Sequence, residues 1–312
     1  MKQFLLEFLV CPSCLPEEHS LQEKIESRSG DDILSGSLMC PNCGKAFPVR
    51  NGIAFLHPDP GWKPLPGNKY ETEKVLSSYM WSHFGNLMDE EDHIDAYKVW
   101  ADVIEPVDGL AVDIGGAVGR FALEMSAKSD FVVGLDLSLL FVSTARRLAR
   151  DGEIEVKLFE EGYICRKCKI SVPSTWRPEK TEFIVADALY LPFRSRCMSL
   201  VSSLNVIDKV PDPMRHLTEM NRVARTNGAQ LLLSDPFSWS EESAPLDVWL
   251  GGKENGAFSG YGLDNIARIL QSGENLIIPP WRVVQRSHVW WKLRTHRNHF
   301  ELIRSLFLKS VR

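Results

Sequence analysis

The segment richest in chemistry is Asp113-Ile114-Gly115-Gly116-Ala117-Val118-Gly119, which follows a short apolar run and precedes an amphipathic one. Glycines at a strand-to-helix turn let the backbone approach a ligand closely, and the next helix offers unpaired amides and a favourable dipole. Alone, such a turn points only to a nucleotide-type ligand. Asp136 narrows the reading, because it ends the next apolar run 23 residues after Asp113, where a carboxylate can accept both hydroxyls of a ribose. A third acid, Asp187, stands in Val185-Ala186-Asp187-Ala188-Leu189-Tyr190-Leu191-Pro192-Phe193. Asp113, Gly115, Gly116, Gly119, Asp136, Leu137, Asp187 and Ala188 form the candidate ligand-binding set.

Cysteine usage points to a second kind of site. Six of the seven cysteines fall in Cys-x-x-Cys pairs, Cys11/Cys14, Cys40/Cys43 and Cys165/Cys168, a spacing suited to tetrahedral metal ligation rather than to disulfides. The first two pairs, 25 residues apart, are the ligand set of a zinc ribbon, in which the metal replaces a missing core. A metal-free fold that keeps these thiols as small buried residues is the alternative. The third pair sits in an insertion beside Arg166 and Lys167, whose charges are expected to lower the thiol pKa. Two ligands do not complete a zinc site, so a second site needs Cys197 and a histidine, or the same pair from a second copy in a homodimer. A reversible disulfide and an inert exposed knuckle are the other readings.

The elements that must position these groups follow from hydrophobic patterning. Short apolar runs at 110–114, 131–136, 183–186, 199–203 and 230–234 read as strands, alternating with helices at 120–129, 139–150, 213–223 and 264–271. That alternation predicts an α/β fold with a mostly parallel sheet. Runs at 281–285 and 306–311 are expected to close it as a hairpin, and 70–104 reads as helical. His57-Pro58-Asp59-Pro60-Gly61-Trp62-Lys63-Pro64-Leu65-Pro66-Gly67 cannot continue a helix or central strand. The chain is therefore divided into residues 1–57, a linker at 58–69, and a domain at 70–312.

Two family resemblances sharpen these expectations. Leu5-Leu6-Glu7-Phe8-Leu9-Val10-Cys11-Pro12-Ser13-Cys14, Cys40-Pro41-Asn42-Cys43-Gly44 and Phe47-Pro48-Val49-Arg50-Asn51-Gly52-Ile53 resemble the Trm112-like zinc ribbons. From about residue 100 onward, the turn, Asp136 and Asp187 with its Leu-Pro-Phe resemble the class I S-adenosylmethionine (SAM)-dependent methyltransferases. The resemblance implies a Rossmann-like, mostly parallel seven-stranded sheet, SAM and Zn²⁺ as ligands, Asp136 on the ribose, and Asp187 facing the adenine amino group. The chain departs from the family pattern at the middle glycine, which is Ala117, with Gly116 beside it. An NAD-binding Rossmann unit is the rival reading, but Gly-x-Gly-x-x-Gly spacing is missing.

On the acceptor side, Asn205 and Asp208 follow the fourth strand, whose carboxyl end faces the ligand crevice. Asp208 is the candidate general base, and Asn205 the candidate for both cofactor contact and catalysis; an N-cap or surface acid before Pro213 is the plainer reading of Asp208. Residues 235–262, with Trp239, Trp249 and several glycines, suggest a lid or a surface excursion. Within the family, the Asp/Asn-Pro-Pro-Tyr and Pro-Cys signatures of amine and 5-methylcytosine methylation are absent. The methyl acceptor stays open between RNA, a protein side chain and a small molecule. Trm112-like ribbons are associated with methyltransferases acting on translation components, which favours RNA. The competing function is an inactive interaction scaffold.

Charge weighs the other way, since a net −5 disfavours a surface that grips nucleic acid everywhere. From Trp281 onward, however, eight Lys or Arg face the single acid Glu301, so RNA binding through this basic segment is a local option. Aromatics there are expected to cover the sheet edge while the charges are solvated. No apolar run approaches the roughly 18 residues of a membrane span, and Glu7 interrupts any signal-like start. The cytoplasm is the expected compartment.

Overall fold

The computed structural model describes residues 1–64, 66–271 and 275–312; Leu65 of the expected linker lies outside them. In chain order the elements are β1 (Gln22–Ser29), β2 (Asp32–Met39), β3 (Ala46–Arg50), β4 (Ile53–Leu56), α1 (Glu73–Phe84), α2 (Ala96–Asp102), β5 (Leu110–Ile114), α3 (Arg120–Met125), β6 (Phe131–Asp136), α4 (Leu139–Asp151), β7 (Glu153–Glu161), β8 (Ile164–Ser171), β9 (Thr181–Ala186), β10 (Met198–Leu204), α5 (Pro213–Val223), β11 (Gln230–Asp235), α6 (Gly262–Leu270), β12 (Arg282–His296) and β13 (His299–Val311). Among the described residues, no helix is long and apolar enough to cross a membrane.

The expected seven strands are present in the order β9-β6-β5-β10-β11-β13-β12. Five are parallel, and the β12–β13 hairpin joins β11 antiparallel. The sheet does not stop at seven. β4 pairs parallel with β9, so β1–β4 extend it to eleven strands. The N-terminal segment is thus continuous with the larger domain.

Local signals set the helix bounds. Ser138 caps α4 by accepting the Phe141 amide at 3.1 Å, and Gly152, at φ 73°, ends it in the left-handed region that favours glycine. Asp212 accepts the Arg215 amide, with Pro213 in the first turn of α5. α3 is shorter than its pattern suggests; it ends where the Ser126 hydroxyl turns back onto the Leu123 carbonyl.

Strand periodicity divides the core in two. Leu110, Val112 and Ile114 join α5, α6 and the N-terminal segment on one face, while Ala111 joins α1–α4 on the other. Between β9 and β10 the chain makes no helix over 187–197, although parallel strands are usually linked by one that covers the sheet. The N-terminal segment supplies that cover. Leu5 and Leu9 lie in one buried cluster with Leu191 and Phe193, and the Val10 amide donates to Pro192 O at 3.0 Å while the Arg194 amide donates to Phe8 O at 2.8 Å. Burying each such side chain stabilises the fold by about 1.5–3 kcal/mol. Arg146 of α4 completes the junction, pairing with Asp32 of β2 and Glu182 of β9.

Candidate functional site

Folding of the ribbon brings the first two cysteine pairs together. Cys11 Sγ lies 3.7 Å from Cys43 Sγ and Cys14 Sγ 3.8 Å from Cys40 Sγ, and all four sulfurs fall within 4.8 Å of one another. A tetrahedron with metal–sulfur bonds of about 2.3 Å has edges of roughly 3.8 Å. These separations are far longer than a disulfide and match that edge, so the donor set fits a zinc ion. Asn42 donates to Cys14 Sγ at 3.6 Å.

The third pair is not a knuckle. Cys165 and Cys168 lie on β8, which pairs with β7 in a two-stranded hairpin, and residues three apart on a strand point to opposite faces. The two thiols therefore cannot chelate one ion together. Cys165 is exposed and Cys168 half-buried; burial pushes the Cys168 thiol up, opposed by Arg166, contrary to the lowering expected from its basic neighbours. Among the described residues, the four N-terminal cysteines are the one group of three or more metal-type ligands.

β5, β6 and β9 are neighbours in the sheet, so Asp113, Asp136 and Asp187 stand in a row at their carboxyl ends. Asp113 is 1% exposed; its Oδ1 accepts the Ser202 hydroxyl at 3.0 Å and its Oδ2 has no protein partner. Burial raises its pKa to about 7, opposed by the Ser202 hydrogen bond. Asp136 accepts the Ser138 amide at 2.8 Å on Oδ1 and the Ala117 amide at 3.0 Å on Oδ2. Burial raises it to about 6, with these amides opposing. Asp136 does not cap α4; Ser138 does. Asp187 Oδ1 accepts the Leu189 amide at 2.9 Å, and the Ala188 carbonyl is held by His216 Nδ1 at 3.2 Å. Leu137 leaves an apolar surface 37% exposed beside Asp136.

The turn needs its glycines for different reasons. Gly115 has φ 68° and lies directly against Val206, leaving no room for a Cβ. A Cβ at Gly116 would sit 2.7 Å from Asp113 Oδ2, so glycine lets the turn pack closely over that buried carboxylate. Gly119, at φ 83°, abuts Phe183. Ala117 takes φ 46°, yet its methyl is buried in the α1–α4 face and its amide serves Asp136, so alanine fills this position without closing the turn.

Asn205 has φ 59°, its amide donates to Ser234 O at 2.7 Å, and its buried Oδ1 has no partner. Asp208 is 1% exposed. Its Oδ2 accepts the Ser238 amide at 2.8 Å and Lys209 Nζ at 3.1 Å, while Oδ1 is buried without a partner. It is not the cap of α5, which is Asp212. Asp235, unremarked in the sequence, lies beside it; burial and then the Asp208 charge push its carboxyl well above the usual range. In the 235–262 segment, Trp239 stacks with Trp249 at 6.2 Å.

The helical lead-in contributes more than its pattern suggested. Glu71 accepts the Leu139 and Leu140 amides at 2.8 and 3.2 Å, capping α4 next to Asp136. Tyr79 lies 4.7 Å from Phe141 and 6.2 Å from Trp291, and the Tyr97 hydroxyl meets His83 Nε2 at 2.6 Å. Burial raises both phenols, followed by a neighbouring tyrosine in each case, with Asp136 adding at Tyr79 and Asp113 at Tyr97. A scatter of aromatics was the visible signal for this wall. In the basic C-terminal segment, Arg286, Lys292 and Arg294 pair with Asp264, Asp92 and Glu160. Arg294 is buried, whereas Arg286 and its partner stay exposed to solvent; Trp281 and Trp291 are buried as expected, while Trp290 is exposed.

Residues 2–52 match the family model described as Trm112p-like protein, and residues 112–232 match that of a methyltransferase domain. No curated protein matches the chain. Similar solved structures include the YcgJ protein from Bacillus subtilis, with 13% identity over 70% of this chain and 97% of that one at a TM-score of 0.44. A SAM-dependent methyltransferase from Methanosarcina mazei gives 16% identity over 68% and 95% at 0.43. A chain from the complex of the Haloferax volcanii Trm112 methyltransferase activator gives 14% over 76% and 93% at 0.45. The chain thus carries a Trm112p-like domain over residues 2–52 and a methyltransferase domain over residues 112–232.

Proposed function

We propose that SAM lies across the carboxyl ends of β5, β6 and β9 and that its methyl group is transferred to an acceptor entering beside Asn205 and Asp208. The observation that carries this reading is the row of three acids, two with unusually high pKa and one with an unpartnered buried oxygen. Asp136 holds the ribose, Leu137, Asp187 and Ala188 meet the adenine, and Asp113 with Gly115, Gly116 and Gly119 receives the methionine end. SAM supplies a sulfonium-bound methyl for in-line displacement, so positioning does much of the catalysis.

Asp208 is the base for an acceptor that must lose a proton. Lys209 Nζ and the Ser238 amide both donate to its Oδ2, while burial and then the Asp208 charge push the Asp235 carboxyl beside it well above its usual range; like charges so close disfavour double ionisation. Cys11, Cys14, Cys40 and Cys43 hold Zn²⁺, supported by their tetrahedral spacing. A reducing, cytoplasmic setting suits seven free thiols.

The acceptor is addressed by following labelled methyl groups from SAM into fractionated RNA, protein and small-molecule extract, with Asp208→Asn as the control. Label entering one fraction with wild type alone supports the reading and names the acceptor class. No transfer, together with no SAM binding, replaces it with that of an interaction scaffold.

A further inference from the structure

We infer that His57, supplied by the ribbon, is a positioning residue of the cofactor site that holds the Asp187 carboxylate for recognition of the adenine amino group. This rests on the SAM reading above. The pairing of Phe55 with Val185 and Leu56 with Ala186 makes His57 and Asp187 the next residues to leave two adjacent parallel strands. Their side chains meet there, with His57 Nε2 3.7 Å from Asp187 Oδ2 and exposures of 16% and 18%.

Local geometry aims the imidazole. Its Nδ1 lies 3.1 Å from both the amide and the carbonyl of Asp59, so it is satisfied either as an acceptor or as a donor. In the matching neutral tautomer and in the imidazolium alike, Nε2 carries a proton toward Asp187. The remaining tautomer would set a lone pair against the carboxylate. Asp187 is consequently held at both oxygens, by a hydrogen bond from the Leu189 amide on Oδ1 and by the longer electrostatic contact of His57 with Oδ2, which orients the carboxylate and leaves lone pairs for an exocyclic amine.

The ribbon holds His57 in turn. The imidazole stacks on Trp62 at 4.8 Å with an interplanar angle of 21°. The next carbonyl, Pro58 O, accepts from Ser13, inside the first knuckle, and from Lys45 Nζ at 3.1 Å, just past the second. Both cysteine knuckles thus grip the residue beside His57, and an element outside the methyltransferase domain sets the geometry at one end of the cofactor.

The test is calorimetric titration of the full chain with S-adenosylhomocysteine and with S-inosylhomocysteine, which replaces the 6-amino group by an oxygen. Wild type should prefer the adenosyl compound. His57→Ala should weaken adenosyl binding roughly tenfold and shrink the preference, with an unchanged melting temperature, as expected when the carboxylate loses one of the two groups that position it. His57→Gln, which keeps an N–H, should recover most of both. Unchanged preference in His57→Ala, or an equal loss for both compounds, overturns the inference; should that variant fail to fold, an unaltered preference in Asp59→Pro, which removes the aiming amide, does the same. Failure of wild type to bind either compound instead overturns the cofactor reading itself.

Discussion

The Ala117 amide donates to Asp136 Oδ2 at 3.0 Å, so the turn after β5 and the acid ending β6 form one unit. Asp136→Ala should therefore damage the site twice, by removing the ribose acceptor and by releasing the turn. Hydrogen bonds to charged groups contribute about 1.5–3 kcal/mol each, so S-adenosylhomocysteine binding should weaken by roughly a hundredfold or more. Calorimetry alongside circular dichroism checks this; a folded variant with near-wild-type affinity would remove Asp136 from the site.

Cofactor binding should depend on pH. Asp113 and Asp136 are raised to about 7 and about 6 by burial, so in the ligand-free protein both are largely protonated below those values. SAM, a cation with ribose hydroxyls to donate, favours their ionised forms. Affinity should rise with pH from about 5 to about 7 and then level off, with proton release on binding. Asp113→Asn should flatten the upper part of the rise. For folding of the free protein the sign is opposite: the Asp113 contribution is full below the unfolded pKa of about 4 and is lost as pH rises toward 7.

How far the sequence discloses this arrangement depends on range. β5, β6 and α5 match their hydrophobic patterns to the residue, because a buried parallel strand or capped helix is specified locally. The acids and the four ribbon cysteines were legible for the same reason. The β8 thiols were not: Cys-x-x-Cys looks alike on a knuckle and on a strand, and only the pairing of 153–161 with 164–171 separates them. Asp235, His57 and the Tyr79–Tyr97 wall acquire their roles across the fold, as does the fusion of ribbon and sheet through β4. Apart from the scatter of aromatics in 70–104, no local pattern marks such contacts.

Metal content should follow the geometry of the two cysteine groups. The purified chain should carry one zinc, lost in Cys14→Ser or Cys40→Ser, while Cys165→Ser/Cys168→Ser keeps it. Elemental analysis per chain decides this; a fall in the double variant would contradict the strand placement.

Because the N-terminal segment covers the sheet where 187–197 makes no helix, zinc removal should destabilise the whole chain rather than melt the ribbon alone. Leu9→Ala, which empties part of the same cluster, should cost about 2–5 kcal/mol. Denaturant unfolding followed at ribbon and sheet probes should give one shared transition.

Asp208→Asn should slow methyl transfer by roughly a hundredfold or more if the acceptor loses a proton to it, with S-adenosylhomocysteine affinity preserved. A parallel loss of affinity would assign Asp208 to cofactor binding instead.

The most direct measurement is titration of the zinc-loaded full chain with SAM and with S-adenosylhomocysteine at about pH 7.5, above the range in which Asp113 and Asp136 titrate. One molecule of either should bind per chain, and binding should collapse in Asp136→Ala. A folded, zinc-loaded protein that takes up neither would contradict a SAM-dependent methyltransferase built on this acid row.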